Sequence, residues 1–352
     1  MIPPDILVIY SLIILLLFSI ALFIFIVLRR IILRHLEIRF KKRYEEIEKD
    51  ILKAISSLKP EYSVKVAHKY KSYPDVLGKV ITDYVEIIKG QGTEQLNIIF
   101  NHGLKEKCIK DIYSRRVLKR LRATRLLVYF AGPSENAHIL KLLNDKPIVR
   151  LTAINALSRA PTTDALSSIF QTFENDPDPN LNTYLNIMSG LGEKAEYFIK
   201  DCLKKHLSIE KLGMLIELIG TIPLKSLYKD IIAFSDHPDK EIRIRVAKAL
   251  GNLLIPDSVD ILLRLSSDSE WEVKAQAIKS LGNLRSPAAL DTLTNGLFSP
   301  FWHVRFNSGY GLANMGPQGI RRLKQVSKQK KDRYASEMAT MVLNDIIYTE
   351  ET

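Results

Sequence analysis

The stretch from Lys240 to Leu265, KEIRIRVAKALGNLLIPDSVDILLRL, decides the fold because its pattern returns in the residues that follow it. In this stretch the dipeptide Ile242-Arg243 is followed by the dipeptide Leu250-Gly251. The same steps recur with a constant period, at Val273-Lys274 with Leu281-Gly282 and at Val304-Arg305 with Leu312-Ala313. A fixed period of about 31 residues is typical of a solenoid, in which each helix pair buries its apolar face only against neighbouring pairs.

Weaker copies of the pattern extend toward the N-terminus. Val149-Arg150 lies three periods before Ile242-Arg243, and Ile219-Gly220 lies one period before Leu250-Gly251. We therefore expect about seven helix pairs between residues 110 and 345, of which the last three are the most regular.

The two central copies resemble the HEAT repeat, in the short bacterial form also seen in phycobilisome lyases. The resemblance rests on Pro256-Asp257-Ser258 between the two helices of one copy, and on Asp268, Leu281-Gly282 and Pro287 in the next. Ser269 and Glu272 also fit a capping box at the start of a helix. The resemblance implies an all-α fold, a HEAT-like α-solenoid of stacked antiparallel helix pairs, with an extended surface for holding partners.

One segment near the N-terminus is apolar enough to cross a membrane. Ile6 to Leu28 is a run of 23 residues without a charge, a glycine or a proline, and about 20 apolar residues span a hydrocarbon core. A cleaved signal peptide is the competing interpretation. However, the leader Met1–Asp5 has no positive charge, the run is too long, and no small-residue cleavage site follows it. The sequence therefore predicts a single transmembrane helix before the solenoid.

Basic residues on one flank of this segment set its expected orientation. Only Asp5 marks the N-terminal side, whereas the other side carries Arg29, Arg30, Arg34, Arg39, Lys41, Lys42 and Arg43. Because basic flanks remain in the cytoplasm, we expect a single-pass protein of the cell (plasma or inner) membrane, with its N-terminus outside and its repeats cytoplasmic. The same cluster would attract anionic lipid.

A helical stalk is expected to follow the membrane segment, since no proline or glycine occurs from Asp5 to Lys59. An apolar stripe runs along it through Leu33, Leu36, Phe40, Ile47, Ile51, Ile55 and Leu58. Either this stripe docks on the first repeat, or residues 29–58 pair two copies of the chain in a parallel coiled coil and form a homodimer. The predicted parts are thus a tail and transmembrane helix (1–28), a basic juxtamembrane stalk (29–59), a helical N-terminal cap (60–109) and HEAT-like repeats (110–345).

Positive charge is concentrated in clusters within a chain of net charge +12. Apart from the juxtamembrane cluster, the one with the most cations is a basic surface formed by Lys105, Lys107, Lys110, Arg115, Arg116, Lys119, Arg120, Arg122 and Arg125. It is either a solvated helix face or a contact for anionic lipid, for an acidic protein or for nucleic acid. Nucleic acid is disfavoured because few aromatic residues are interleaved with these cations.

The residues that carry catalysis are not arranged in a recognisable motif. The histidines include no pair at helical ligand spacing and no His-Glu dipeptide, and Gly-x-Ser-x-Gly is absent. We interpret Cys108 and Cys202 as core residues. We expect no catalytic residue, no metal and no cofactor, and hence no enzymatic activity.

The best candidate for a binding site is aromatic. Trp271 and Trp302 are one period apart, each two residues before the valine of its repeat, so they should lie one above the other at consecutive helix starts. With Phe301 and His303 they form an aromatic ladder that would anchor a partner segment. The alternative is that each indole packs between adjacent repeats.

A second set of equivalent positions in the repeats is occupied by basic residues. Arg150, Arg243, Lys274 and Arg305 occupy equivalent positions, and in HEAT proteins this residue commonly joins a ladder with acidic neighbours, for which Asp236 and Asp268 are available. If it is unpaired, the row would instead form a basic groove for an acidic peptide.

These features predict a membrane-anchored cytoplasmic scaffold or adaptor that binds a protein partner through its solenoid. By resemblance to membrane-tethered HEAT proteins, it is expected to be an accessory subunit of an envelope or polysaccharide glycosyltransferase system. The contrasting hypothesis is a module that binds anionic lipid or nucleic acid through the basic clusters.

Overall fold

The computed structural model describes the backbone of residues 4–350 and the side chains of residues 15–346. Every regular element in that part of the chain is helical, and no strand occurs among the described residues. The chain divides into two compact units, the first ending at His138 and the second beginning at Ile139.

The first unit begins with one long helix. Its helices are α1 (Pro4–Ser57), α2 (Pro60–Tyr70), α3 (Pro74–Val85), α4 (Gln91–Gly103), α5 (Lys105–Ile112) and α6 (Val117–Phe130). A 3-10 turn at Pro133–Glu135 and the short helix α7 (Asn136–Ile139) follow. Proline occupies the first turn of both α2 and α3, where its missing N–H costs no hydrogen bond.

The C-terminal third of α1 packs on α2, α3 and α4, so the predicted stalk is docked over part of its length. Ile47 and Ile51 are completely buried, and the Tyr44 hydroxyl donates to Asp83 at 2.9 Å. In contrast, every described side chain of α1 from Leu15 to Lys42 is exposed. Because Ile47 and Ile51 are covered within the chain, pairing of two copies through the stalk remains a prediction that now depends on Leu33, Leu36 and Phe40.

The second unit is a stack of helix pairs, in which we call the first helix of each pair the A helix and the second the B helix. The A helices are α8 (Pro147–Arg159), α10 (Leu181–Ser189), α12 (Ile209–Thr221), α14 (Lys240–Leu253), α16 (Trp271–Leu284) and α18 (Trp302–Asn314). The B helices are α9 (Thr163–Asn175), α11 (Glu196–Cys202), α13 (Tyr228–Ile232), α15 (Val259–Leu265), α17 (Leu290–Gly296) and α19 (Pro317–Ser327). Helix α20 (Arg333–Glu350) packs on α18 and α19.

Turns of 3-10 helix precede several helices of the second unit. They lie at Leu140–Asn144, Gly192–Ala195, Lys225–Leu227, Pro256–Ser258 and Pro287–Ala289. The last two begin with the prolines that the sequence places between the helices of a repeat. The predicted helix pairs are therefore present where the pattern is most regular.

Successive A helices touch through the glycine of the Leu-Gly motif. A methyl group added at Gly282 would lie 2.6 Å from the Cα atom of Gly311, and one added at Gly251 would lie 2.6 Å from the Cβ atom of Ser280. Since real Cβ atoms do not approach so closely, only glycine permits this helix spacing. The preceding leucines, Leu250 and Leu281, are completely buried in the core. In each motif the leucine thus fills the core and the glycine allows the next A helix to approach closely.

Candidate functional site

An aromatic row begins at the N-terminal ends of α16 and α18 and continues along α18. It consists of Phe301, Trp271, His303, Trp302, Phe306 and Tyr310. The Trp271 ring stacks against Phe301, with ring centroids 5.6 Å apart, and against His303 at 5.2 Å. His303 meets Trp302 edge-on at 5.1 Å. Trp302 stacks on Phe306 at 4.8 Å, and Phe306 contacts Tyr310 at 4.5 Å. The rings therefore form one continuous surface across two repeats.

The exposed members of this row lie at the start of α18. Trp302 is 50% exposed and Phe301 is 41% exposed, whereas Trp271 is half-buried. Both tryptophans are the first residue of their A helix, at equivalent positions, but the two indoles are linked through His303 rather than stacked on each other. Trp271 packs between repeats, while Trp302 presents its ring to solvent. Anchoring of a partner segment by this row stays a prediction.

Two members of the row, Phe306 and Tyr310, are absent from the sequence-based candidate set. Trp302, Phe306 and Tyr310 are spaced by four residues on α18, so their side chains share one helix face. That spacing is visible in the sequence, and it is the signal that would have added them. The Tyr310 hydroxyl is held by a hydrogen bond to Asp345 of α20.

The arginine register is paired at two of its positions. The guanidinium of Arg243 donates two hydrogen bonds to Asp268, at 2.7 and 2.9 Å. Arg150 donates to Asp176 at 2.9 Å in the same way. Each arginine lies on an A helix, and its side chain reaches an aspartate in the loop before the next A helix. The pairs therefore link consecutive repeats. The Arg243 guanidinium holds the pKa of the Asp268 carboxyl below its usual range.

The register loses its acidic partners in the last two repeats. Steps of one and two periods from Asp268 lead to Ser299 and to Lys330, neither of which is acidic. Arg305 donates instead to the carbonyl oxygen of Ser299 at 2.8 Å, and its guanidinium lies 5.2 Å from the ring centroid of Tyr334. Lys274 forms no ion pair with any residue that the structure describes. Asp236 pairs at 3.2 Å with Arg264 rather than with the register.

The predicted capping box at Ser269 is absent from the structure. Helix α16 begins at Trp271, and its N-cap residue Glu270 makes no side-chain cap. The backbone N–H of Glu270 donates to the Asp268 carboxylate at 2.9 Å, and Glu272 bonds to Lys240 at 2.6 Å. The carboxylate of Glu272 is therefore engaged by the preceding repeat instead of capping its own helix.

The basic surface is partly neutralised. Ion pairs join Lys105 to Glu135 at 2.8 Å and Arg122 to Asp75 at 3.7 Å, and Lys107 pairs with Asp111. Arg120 donates to the carbonyl oxygen of Ser114 at 2.7 Å. The remaining cations form no ion pair with a described residue; they are Lys110, Arg115, Arg116, Lys119 and Arg125. Leu118 lies among them with 66% of its surface exposed.

One helix in the described part of the chain is long and apolar enough, by length and composition, to cross a membrane. It is the portion of α1 from Leu15 to Ser57, whose most apolar window has a mean hydropathy of 2.6. That window has no side chain buried against the rest of the chain. Of the membrane-flanking cations, Arg43 pairs with Glu46 at 2.8 Å and lies over the Tyr73 ring.

The two cysteines are enclosed within the fold. Both Cys108 and Cys202 are buried free thiols. Burial raises the pKa of the Cys108 thiol to about 12, and burial followed by the contact with Glu174 raises the pKa of Cys202 as well. A thiol with a raised pKa is a poor nucleophile. Among the described residues no group of His, Cys, Asp and Glu is arranged to hold a metal ion.

Comparisons with known proteins agree with the repeat architecture. Residues 259–344 match the HEAT repeats family. Among solved structures, the chain is similar to Kap121p bound to Nup53p, with 9% identity and a TM-score of 0.52 over 85% of this chain and 41% of that one. It is also similar to the CpcE–CpcF phycocyanin lyase complex of Nostoc sp. PCC7120, with 16% identity and a TM-score of 0.33 over 68% of this chain and 94% of that one. No curated protein sequence matches it.

The described part of the chain is thus an all-α solenoid of stacked helix pairs, and residues 259–344 of it match HEAT repeats. Solenoids of this class are typically protein-binding scaffolds, because stacked repeats create extended surfaces.

Proposed function

We propose that this protein is a membrane-anchored scaffold that binds a protein partner through its HEAT solenoid, with the aromatic row as the anchoring surface. The observation that carries this proposal is the half-exposed ring of Trp302, held in place by Phe306 and His303. Tryptophan and tyrosine are enriched among the residues that dominate protein interfaces. A ring already fixed by its neighbours also loses little conformational entropy on binding.

The solenoid fold supports a protein as the partner. Kap121p, whose fold resembles this chain, has been crystallised with the protein Nup53p. The aromatic row contains no acidic residue and is apolar over most of its area, so an apolar segment of another protein would fit it better than a polyanion. Arg305 and Lys274 lie in the same helix starts and would favour a partner with acidic flanks.

Helix α1 supplies the proposed anchor. The apolar side chains from Leu15 to Leu28 are exposed in the structure and would be covered by lipid. By the positive-inside rule, the basic residues from Arg29 to Arg43 favour a cytoplasmic location for the C-terminal side of that segment and for the repeats. By resemblance to membrane-tethered HEAT proteins, the class of partner that we expect is a glycosyltransferase of an envelope polysaccharide system.

Site-specific photo-crosslinking tests the proposal. A photoreactive amino acid at position 302, in native membranes, is expected to capture one discrete protein that mass spectrometry can identify. The matched control is the same probe at Tyr197, an aromatic residue of α11 that is 75% exposed and lies outside the aromatic row. Capture at 302 should be lost in Trp271→Ala and should persist as salt is raised, because the contact is apolar. Capture of lipid alone, or of nothing, would contradict the proposal.

A second candidate function is contact with anionic lipid through the basic surface. The observation in its favour is Leu118, an exposed apolar side chain whose neighbours in sequence include Arg115, Arg116 and Lys119, cations without an ion pair to a described residue. Membrane-surface segments have this composition. The same photoreactive probe at position 118 would then capture acidic phospholipid, and the yield would fall steeply with salt. Nucleic acid remains the weaker alternative, since Tyr113 is the one aromatic residue within that cluster.

A further inference from the structure

The C-terminal ends of the A helices carry a second register that is distinct from the aromatic row. Asn252, Asn283 and Asn314 follow one another at intervals of one period, on α14, at the end of α16 and at the end of α18. All three are exposed, and no described residue gives their side-chain amides a hydrogen bond. We call these residues the asparagine row.

The asparagine row lines a shallow cleft of about 480 Å³. The other lining residues include Thr221, which occupies the equivalent position at the end of α12, together with Leu254 and Arg285. Arg285 is the one charged residue of this lining. A cleft with so little charge and with repeated amide groups suits a neutral, hydrogen-bonding ligand rather than a nucleic acid or an acidic peptide.

The spacing of the row is fixed by the close contact between A helices. Asn252 and Asn283 each follow directly after a glycine, Gly251 or Gly282, that touches the next A helix. Packed helices are about 8–10 Å apart, so consecutive asparagines present their amides at about that interval. Because the glycines admit no side chain between the helices, the interval has little freedom to change.

This interval matches one regular conformation of an extended peptide. A polyproline II helix repeats every three residues, or about 9.3 Å, and makes no internal hydrogen bonds, so its peptide groups are free to bond elsewhere. A β-strand repeats every two residues, or about 6.6 Å, and an α-helix already satisfies its own backbone groups. An asparagine carboxamide carries both a donor and an acceptor and can therefore pair with the N–H and C=O of one peptide residue.

We propose that the asparagine row binds the backbone of a peptide segment in the polyproline II conformation, with one asparagine serving every third peptide residue. The asparagine row lies at the C-terminal ends of the A helices, whereas Trp271 and Trp302 lie at their N-terminal ends, so this inference does not depend on the function proposed above. Because the asparagines would bind the peptide backbone, the site would not restrict which residues occupy the solvent-facing positions of the peptide.

The test uses the full-length protein in detergent and a fluorescent peptide of repeating Pro-Pro-Ala, about five polyproline II turns long. Fluorescence anisotropy should show saturable binding that weakens about fivefold for each single Asn→Ala change, the loss of one net hydrogen bond. The triple variant Asn252→Ala, Asn283→Ala, Asn314→Ala should not bind. The matched control is Asn295→Ala, an exposed asparagine of α17 outside the cleft, which should bind normally.

A second peptide and a second variant separate this proposal from nonspecific contact. Replacing each alanine of the peptide by N-methylalanine removes the backbone donors, and this change should weaken binding. Asn283→Asp keeps the shape of the side chain, removes its donor and is expected to weaken binding as well. Absence of saturable binding, binding unchanged in the triple variant, or binding of the neutral oligosaccharide maltoheptaose in place of the peptide would each overturn the proposal.

Discussion

At the scale of single residues, glycine in the Leu-Gly motif is required by contact between helices and not by backbone conformation. Gly251 and Gly282 lie within regular α-helix, where glycine weakens the helix by about 1 kcal/mol relative to alanine. That cost is offset because the neighbouring A helix passes directly over the missing side chain. The residues on the other side of the contact, Ser280 and Gly311, are small for the same reason.

Gly282→Ala is therefore expected to destabilise the protein although alanine favours helices. The new methyl group would meet the backbone of Gly311, and overpacking of this kind costs about 1–3 kcal/mol. Urea unfolding of the detergent-solubilised protein, followed by circular dichroism, measures the change. Gly132→Ala is the control, because its methyl group would contact only a Glu135 oxygen at 3.5 Å. Equal stability of the two variants would contradict the contact argument.

At the scale of the element, the bond between Arg243 and Asp268 joins one A helix to the start of the next. Both side chains are largely buried, with 13% and 9% of their surfaces exposed. A bidentate pair in such surroundings leaves an unpaired charge when either partner is removed. The Asp268 carboxylate also accepts the backbone N–H of Glu270 just before α16, so a single aspartate contacts two repeats.

Asp268→Asn should lower the free energy of unfolding by about 2 kcal/mol at neutral pH. Because Arg243 lowers the pKa of Asp268 in the folded protein, the stabilisation is present above the unfolded pKa of about 3.9 and is lost as the pH falls through the lower folded value. The difference between wild type and variant should therefore disappear in acid. Asp291→Asn is the control, since its partner Arg322 is at the surface and exposed pairs contribute less than about 1 kcal/mol. A difference that stays constant with pH would refute this account.

The helices of the last repeats are the part of the fold that the sequence predicts best. The spacing of Leu250 and Leu281 places two A helices, and Pro256 and Pro287 place the turns after them, since proline cannot continue a helix. The candidate surface is less predictable. Trp271 and Trp302 can be identified from their equivalent positions in the repeats. The contact of both rings with His303 depends on side-chain rotamers, which the spacing of residues does not encode. Likewise, the asparagine row is visible in the sequence, whereas its lack of partners is not.

At the scale of the whole molecule, the proposed topology can be tested with cysteine chemistry. Cys108 and Cys202 are buried, and the pKa of Cys108 is raised to about 12, so the native thiols should give little background labelling. A membrane-impermeant maleimide should label Glu37→Cys only after cells are permeabilised, and should label Asp5→Cys in intact cells. Labelling of Glu37→Cys in intact cells would reverse the proposed orientation.

Helix α1 continues without a break from Pro4 to Ser57. In the proposed orientation, its exposed portion between Arg29 and Arg43 is a rigid rod about 20 Å long, at about 1.5 Å per residue. A flexible linker would allow the distance between the first unit and the membrane to vary widely, whereas a single helix has a nearly constant length. As the proposed anchor, this helix would hold the first unit at a fixed distance from the lipid and would favour partners whose binding surfaces lie at that distance.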